Sequence, residues 1–382
     1  MEKVIYLDNA ATTPLDKRVL DKMTPYLTDV FGNADSPHAV GRKAMGAVDL
    51  ARDTIAELLH AKQNEVYFTS GGTEADNWAV IGAALAKAKE GRRKIVCSPI
   101  EHHAVLSAME RLQSYGFEIV YLSVNEGGRV ALSDVESVVD TDTALVCIML
   151  ANNETGVLQP VQEAAKIAHA KGALCFTDAV QYAPYIPIDV KALDVDLLSI
   201  SAHKFGGPKG VGALYIKNGV KMEKLVAGGE QERGMRGGTL NVAAIVGMAE
   251  AYRLTRAEMQ QNAEHLKNLA KIFQEEISIL QNITRNGSGE CLPSVFNLRI
   301  QGVENAALLY KTDLLGVCFA AGSACASASV KPSHVLTAMG LSETQAKESV
   351  RISFGKHNTE SDAREGGKKI VQAVQALRAF EK

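Results

Sequence analysis

A lysine and an aspartate that each follow an apolar run are the residues of this chain best suited to chemistry. Lys204 ends the segment Ser201-Ala202-His203-Lys204 behind the apolar run 195–200, and Asp178 follows the preceding apolar run. In open α/β sheets, ligands bind outside the carboxyl ends of the strands, where such residues meet. An amine that forms an imine and a carboxylate that keeps a ring nitrogen protonated are what pyridoxal 5′-phosphate (PLP) requires. The pair predicts a PLP enzyme.

Both charges also have ordinary interpretations. A buried, unpaired charge is costly, so Asp178 at a strand end needs a cationic partner, or else it caps a helix. Lys204 likewise needs an anion or conversion to an imine. Ser201 and His203 flank it and can donate to phosphate oxygens.

A glycine-rich turn after another apolar run predicts an anion site. Ser70-Gly71-Gly72-Thr73-Glu74 follows the run 65–69 and opens a helical pattern. Glycines let backbone N–H groups approach a phosphate, and a helix N-terminus favours negative charge. Gly72 and Thr73 are therefore candidate phosphate ligands, although such segments also serve as plain turns.

Two further strand ends carry polar residues. Glu101-His102-His103 offers an imidazole that can stack on a flat ring and move protons, and we favour His102 for that contact. Capping a helix, or binding a metal through the histidine pair, are the alternatives. Asn152-Asn153-Glu154-Thr155-Gly156 supplies amides for a substrate carboxylate or a ring hydroxyl, and it equally suits an ordinary turn.

A cysteine and an arginine of the C-terminal third complete the candidates. Cys325 lies among small residues in segment 320–329, which predicts an exposed, mobile loop and a chemical role for the thiol. Arg351 lies in an apparently half-buried strand, as a bidentate carboxylate clamp requires. A structural ion pair is the alternative for Arg351.

Composition excludes several classes of protein. The chain has 382 residues, 46% of them hydrophobic, and 41 basic against 44 acidic residues, for a net charge of -3. This balance does not favour a nucleic-acid or membrane surface, and no apolar stretch reaches the length of a membrane span. Six cysteines without a Cys-x-x-Cys pair speak against a zinc ribbon or a disulfide framework. We expect a soluble, cytoplasmic enzyme without a metal.

The order of apolar runs predicts an α/β fold in two domains. Several runs are apolar at consecutive positions, as strands buried on both faces are, and they alternate with helical patterns. The runs lie at 65–69, 94–98, 117–123, 144–150, 173–177, 195–200 and 212–216. They predict a large PLP-binding domain, residues 15–255, with a mostly parallel sheet. A bent or broken helical tract at 240–279 leads to a small α+β domain, residues 1–14 and 256–382, which carries the cysteine loop at about 320–333.

Nine motifs in order resemble those of the cysteine desulfurases that serve nitrogen fixation and housekeeping iron–sulfur assembly. They lie at residues 6–14, 69–74, 101–102, 152–156, 178–181, 201–204, 232–239, 322–325 and 350–353. The resemblance runs almost end to end. It implies the aspartate-aminotransferase-like, PLP-dependent transferase fold with a seven-stranded sheet, and a homodimer.

The resemblance also implies a role for each matching residue. Lys204 would bond covalently to the cofactor, Asp178 would pair with the pyridine nitrogen, Gln181 would contact the ring hydroxyl and His102 would stack on the ring. The phosphate would be bound by Thr73, Ser201, His203 and, from the other subunit, Thr239. Asn153 and Arg351 would hold the substrate carboxylate.

In the implied reaction, L-cysteine becomes L-alanine and Cys325 accepts the sulfur as a persulfide. The sulfur would then pass to an iron–sulfur scaffold or to an enzyme of tRNA or cofactor thiolation. A selenocysteine lyase or an aminotransferase on the same fold is the alternative, and a catalytically silent sulfur-trafficking scaffold is a third hypothesis.

Overall fold

The computed structural model describes residues 4–322 and 332–380. Most of the predicted cysteine loop, including Cys325, lies outside the described residues. The strands, in chain order, are β1 Ile5–Tyr6, β2 Val66–Thr69, β3 Lys94–Cys97, β4 Glu118–Tyr121, β5 Thr143–Cys147, β6 Leu174–Asp178, β7 Leu197–Ser201, β8 Gly212–Ile216, β9 Ile283–Asn286, β10 Val295–Ile300, β11 Val317–Cys318 and β12 Ser349–Ser353.

Helices surround these strands. They are α1 Lys17–Thr28, α2 Ala39–Leu58, α3 Gly72–Asn77, α4 Ala83–Ala88, α5 His103–Ser114, α6 Leu132–Val138, α7 Val161–Ala170, α8 Val190–Leu193, α9 Val242–Ala257, α10 Met259–Ile277, α11 Asn305–Asp313, α12 His334–Ala338, α13 Glu343–Lys347 and α14 Glu360–Phe380. A π-helical turn, Trp78–Gly82, joins α3 to α4. Within the described ranges, no helix combines the length and apolarity needed to cross a membrane.

The seven-stranded sheet has the order β2-β8-β7-β6-β5-β3-β4. Strand β8 runs antiparallel to both of its neighbours, and the other pairings are parallel. Neighbouring residues of β5 pack into cores on opposite faces: Val146 into one, Leu145 and Cys147 into the other. Burial on both faces explains the consecutive apolar positions, so the prediction of a mostly parallel seven-stranded sheet is confirmed.

The predicted strands exceed the observed ones most at two places. The run 144–150 ends as a strand at Cys147, although Ile148 and Leu150 still donate backbone hydrogen bonds to Phe176 and Asp178. The run 117–123 shortens to β4 at the sheet edge, where pairing comes from one side only. The apolar residues continue beyond the hydrogen-bonded part of each strand because the chain stays buried where it leaves the sheet.

A second core packs around the three-stranded sheet β12-β10-β9. Helices α10 and α14 contribute Phe273 and Val374 to it, and the N-terminal segment contributes Ile5 and Leu7. The predicted tract 240–279 is two helices that break at Glu258. The division into 15–255 and 1–14 with 256–382 stays a prediction.

Candidate active site

A cavity of about 180 Å³ lies at the carboxyl ends of β6 and β7. It is lined by Ala10, Ala11, Gly72, Thr73, Asp76, His102, Met149, Asn153, Asp178, Val180, Gln181, Ser201, His203, Lys204 and Arg351. The fold thus brings together the predicted candidates from six segments far apart in sequence. Thr239 is exposed and does not line this cavity, and Cys325 lies outside the described residues.

Lys204 ends a short 3-10 turn, Ala202–Lys204, directly after β7. Its Nζ donates to the backbone oxygens of Ala10 at 2.5 Å and Ala11 at 3.0 Å. Thr13 fixes the same turn, since its N–H and hydroxyl both donate to the carbonyl of His203, at 2.9 and 2.8 Å. The N-terminal segment therefore holds the amine in the cavity.

Asp178 ends β6 and is 5% exposed. Its Oδ1 accepts the N–H of Val180 at 2.8 Å. Burial raises the pKa of Asp178 to about 6, while that hydrogen bond and the charge of Lys204 lower it. No helix begins at the next residues, so the helix-cap alternative is wrong. A carboxylate in this setting favours a cationic partner such as a protonated ring nitrogen.

The turn between β2 and α3 has the backbone that an anion site requires. Gly71 takes a φ of 153°, a region that glycine alone enters readily. A Cβ on Gly72 would lie 3.1 Å from Val180 Cγ2 and 3.4 Å from Ser201 Cβ, so the backbone passes close to these two residues. Thr73 follows in the first turn of the helix, whose free N–H groups suit a phosphate.

His102 is the N-cap of α5, as one of the alternatives held, and it also lines the cavity. Its Nδ1 accepts the N–H of Ala104 at 3.1 Å, which assigns the hydrogen of a neutral ring to Nε2. Burial, then the charge of Lys204, lowers the pKa of His102 to about 4. At neutral pH the ring is therefore uncharged and able to lie against a flat aromatic ligand.

His103 does not line the cavity, so the two adjacent histidines have different surroundings. The centre of the His103 ring lies 4.6 Å from the centre of the His334 ring, which follows the cysteine loop. Among the residues that the structure describes, no group of three or more His, Cys, Asp or Glu side chains is placed to hold a metal ion.

His203 and Gln181 complete the polar wall of the cavity. His203 Nδ1 lies 3.1 Å from the hydroxyl of Thr12, and burial, then Lys204, lowers the pKa of His203 to about 4. Gln181 Nε2 donates to the backbone oxygen of Ala10 at 2.6 Å, which orients its amide. Neutral His203 and the Gln181 amide offer hydrogen bonds without adding charge.

Arg351 is 1% exposed in β12, whose five residues are all buried, so the prediction of a half-buried strand was wrong. Its Nη1 donates to the backbone oxygen of Asn153 at 2.9 Å, and its Nη2 pairs with Asp8 Oδ1 at 2.8 Å. The Nε is buried and has no hydrogen-bond partner within the described part of the chain. A buried guanidinium among the residues that line the cavity fits an anionic ligand.

Sequence reasoning missed several residues of the cavity wall. Ala10 and Ala11 line it, and they come, like the Arg351 partner Asp8, from the N-terminal segment, which matched a motif but received no role. Asp76 accepts the hydroxyl hydrogen of Ser199 at 2.5 Å, and burial raises its pKa well above the ordinary value. An acid within an apolar helical stripe was the available signal for Asp76.

The cavity residues fit PLP, since an amine, a buried acid, a glycine-rich helix start and a buried guanidinium face one space. Comparison with known proteins agrees with this fit. The family model "Aminotransferase class-V" matches residues 5–365. The chain is 44% identical to the cysteine desulfurase IscS of Clostridium botulinum over 95% of this chain and 92% of that protein. It is 43% identical to the IscS of Methanosarcina thermophila over 98% of this chain and 93% of that protein.

Solved structures give the same result. A NifS-like protein superposes with a TM-score of 0.91 at 36% identity, over 98% of this chain and 100% of that chain. SspA, solved in complex with cysteine, gives a TM-score of 0.82 at 35% identity, over 93% of this chain and 99% of that chain. The chain belongs to the class-V aminotransferase family. Within that family it is an enzyme of the cysteine desulfurase type.

Proposed function

We propose that this enzyme uses PLP to convert L-cysteine to L-alanine and transfers the sulfur to its own Cys325 as a persulfide. The observation that carries the proposal is the shared cavity of Lys204, Asp178 and Arg351. The first two suit the cofactor and the third suits the carboxylate of an amino acid. The cysteine desulfurase names of the relatives supply the reaction.

Each cavity residue then has a proposed task. Lys204 carries the covalent link, Asp178 pairs with the ring nitrogen, Gln181 contacts the ring hydroxyl and His102 lies against the ring. The phosphate is held by Gly72, Thr73, Ser201, His203 and Thr239 of the partner subunit. When bound, PLP supplies an electron sink that weakens the bonds at the substrate Cα.

Substrate orientation comes from two residues of the cavity wall, Arg351 and Asn153. Arg351 binds the α-carboxylate of L-cysteine through its buried guanidinium, and Asn153 lies beside it in the cavity wall. Lys204 Nζ, released from its covalent link, takes the proton from the substrate Cα and later returns a proton. The carbonyls of Ala10 and Ala11 keep this amine at the cavity floor.

Sulfur transfer needs no external oxidant. The thiolate of Cys325 attacks the substrate sulfur, a new S–S bond forms, and the Cβ–Sγ bond breaks. L-cysteine and the Cys325 thiol thus give L-alanine and a Cys325 persulfide, with all atoms conserved. An ordinary thiol pKa near ~8.5 leaves little thiolate at neutral pH. With a pKa of about 4 and its Nδ1 bonded to Ala104, His102 is a poor acceptor for the thiol proton, so we assign the stabilisation of the thiolate to the cationic groups of the cavity, Lys204 and Arg351.

A homodimer accounts for the exposed Thr239 and for large exposed apolar residues. Leu27, Phe31 and Leu50 are 61, 77 and 70% exposed, and they belong to α1, α2 and the connection between these helices. We propose that a partner subunit covers them. We place the dimer in the cytoplasm, where thiols stay reduced, with an iron–sulfur scaffold or a tRNA-thiolation enzyme as the sulfur acceptor.

Mass spectrometry after addition of L-cysteine to the PLP-loaded protein tests the proposal. We expect one added sulfur atom on the peptide of Cys325 and one alanine released. Cys325→Ala should abolish both, while Cys318→Ala, which removes a different thiol that is partly exposed, should leave both unchanged. Sulfide release from Cys325→Ala at the wild-type rate would refute the sulfur-acceptor role. Absence of borohydride labelling at Lys204 would refute the PLP assignment.

A further inference from the structure

Glu154 places a carboxylate between the two chain ends that flank residues 323–331. The residue is 1% exposed. On one side, the Ser333 hydroxyl donates to its Oε2 at 2.5 Å. On the other, a Cβ built on Gly322 would lie 3.1 Å from the same oxygen, so the backbone at 322 passes beside the carboxylate. One side chain therefore lies next to both ends of the segment that contains Cys325.

The same chain ends are joined to the proposed substrate site. Ala320 and Arg351 form an isolated β-bridge, with N···O distances of 3.2 and 2.6 Å. Arg351 in turn donates to the carbonyl of Asn153, the residue before Glu154. The chain that leads into segment 323–331 is thus bonded to the backbone of Arg351, whose guanidinium is proposed to hold the substrate carboxylate, and both ends of the segment lie near the turn that contains Asn153.

The turn around Glu154 does not depend on its side chain. Asn152 Oδ1 accepts the backbone N–H groups of Glu154 and Thr155, both at 2.9 Å. Asn297 Nδ2 donates to the carbonyl of Glu154 at 3.3 Å. Burying a carboxylate is costly, and the fold gains no turn geometry from it. The cost therefore points to a role toward the segment ends.

We propose that Glu154 is a positioning residue for sulfur transfer, whose carboxylate holds Ser333 at one end of the segment that carries Cys325 and lies beside Gly322 at the other. This inference rests on the proposed role of Cys325 as the sulfur acceptor. The effective concentration of a tethered group depends on where its tether is fixed. Releasing one end slows transfer to Cys325 and leaves the cofactor and the substrate carboxylate with their own ligands.

The test compares Glu154→Ala with Glu154→Gln in the PLP-loaded enzyme. Loss of a hydrogen bond to a charged group predicts a fall in kcat of about tenfold or more for Glu154→Ala. The KM for L-cysteine and the cofactor absorbance should stay at the wild-type values. Glu154→Gln keeps an oxygen acceptor for Ser333, so kcat should recover to within roughly threefold of wild type, as for a neutral hydrogen bond.

A pair of serines gives a matched control. Ser333 caps α12 and Ser342 caps α13, each by accepting a backbone N–H at 3.2 Å, from Leu336 and Gln345 respectively. Ser333 also donates its hydroxyl to Glu154, whereas Ser342 forms a capping box with Gln345. Ser333→Ala should lower kcat and add little to Glu154→Ala in the double variant. Ser342→Ala should match wild-type kcat at a similar loss of stability.

The outcomes separate this inference from the proposed function. A wild-type enzyme that forms no persulfide on Cys325 refutes the proposed function. A wild-type enzyme that forms it, together with Glu154→Ala at the wild-type kcat, overturns the inference alone. Glu154→Gln as slow as Glu154→Ala also overturns it, because an oxygen acceptor for Ser333 then fails to restore sulfur transfer. If Glu154→Ala fails to bind PLP, the difference between Ser333→Ala and Ser342→Ala decides.

Discussion

Replacement of Arg351 by alanine tests the proposed substrate site most directly. The guanidinium is 1% exposed, and its buried Nε has no partner within the described part of the chain. A hydrogen bond to a charged group is worth ~1.5–3 kcal/mol. Since ~1.4 kcal/mol corresponds to a factor of ten in affinity, Arg351→Ala should weaken L-cysteine binding about 10- to 100-fold.

Cofactor binding should survive the same substitution. Arg351 belongs to β12 of the three-stranded sheet, whereas Lys204 and Asp178 follow strands of the seven-stranded sheet. The other partner of Arg351, Asp8, is 19% exposed at its side chain, so water can solvate the carboxylate that loses its cation. Arg351→Lys keeps a charge without the planar fork and should recover part of the affinity.

Spectral titration of the PLP-loaded protein with L-cysteine measures this affinity, and the cofactor absorbance measures occupancy. Arg299→Ala is the control, because Arg299 lies on the neighbouring strand β10 and pairs with Glu348 at 2.8 Å, away from the cavity lining. An Arg351→Ala protein with full cofactor content and wild-type cysteine affinity would show that the carboxylate binds elsewhere.

Three further predictions concern charges in the fold. Because burial raises the pKa of Asp178 from 3.8 to about 6, the cofactor-free protein loses stability as pH rises through that window. Asp178→Asn should therefore raise the Tm of the cofactor-free protein above pH 6 in thermal melts, and an unchanged Tm would contradict this linkage. Titration with PLP should show weaker cofactor binding by the variant. Hydrogen bonding to Asp196 raises the pKa of His169. The stabilisation of the fold by protonated His169 is therefore complete below the ordinary pKa of 6.5, and it is lost as the pH rises through the raised pKa. Melts of wild type and His169→Gln should converge at high pH, and a constant difference would refute the linkage. Arg52→Met leaves the fully buried Glu232 carboxylate without its cation and should cost about 3–5 kcal/mol of unfolding free energy in urea titrations, unlike a surface pair. A cost below ~1 kcal/mol, the range of exposed ion pairs, would contradict this prediction.

The sequence predicts the large sheet well because its strands are buried on both faces. Consecutive apolar residues in β5, β6 and β7 mark such strands, and the polar residues that follow them mark the ligand edge. The positions of Asp178 and Lys204 follow from this pattern, and both line the cavity as expected.

Contacts between distant segments were beyond the reach of the sequence. Asp8 and Arg351 pair across a separation of 343 residues, and no local period signals such a contact. The fully buried environment of Arg351 was missed for the same reason: strand β12 is covered by the N-terminal segment, as in the bond from Asn9 Nδ2 to the carbonyl of Ser353 at 2.9 Å. Glu154 was seen only as part of a turn, because its contacts at 322 and 333 are long-range.

The N-terminal segment has a consequence for biosynthesis. Asn9 and Ala10 bond to Ser353, which lies 344 and 343 residues later in the chain. A nascent chain therefore cannot close its catalytic pocket until residue 353 has left the ribosome. Until then, the segment that holds the Lys204 amine lacks its partner strand.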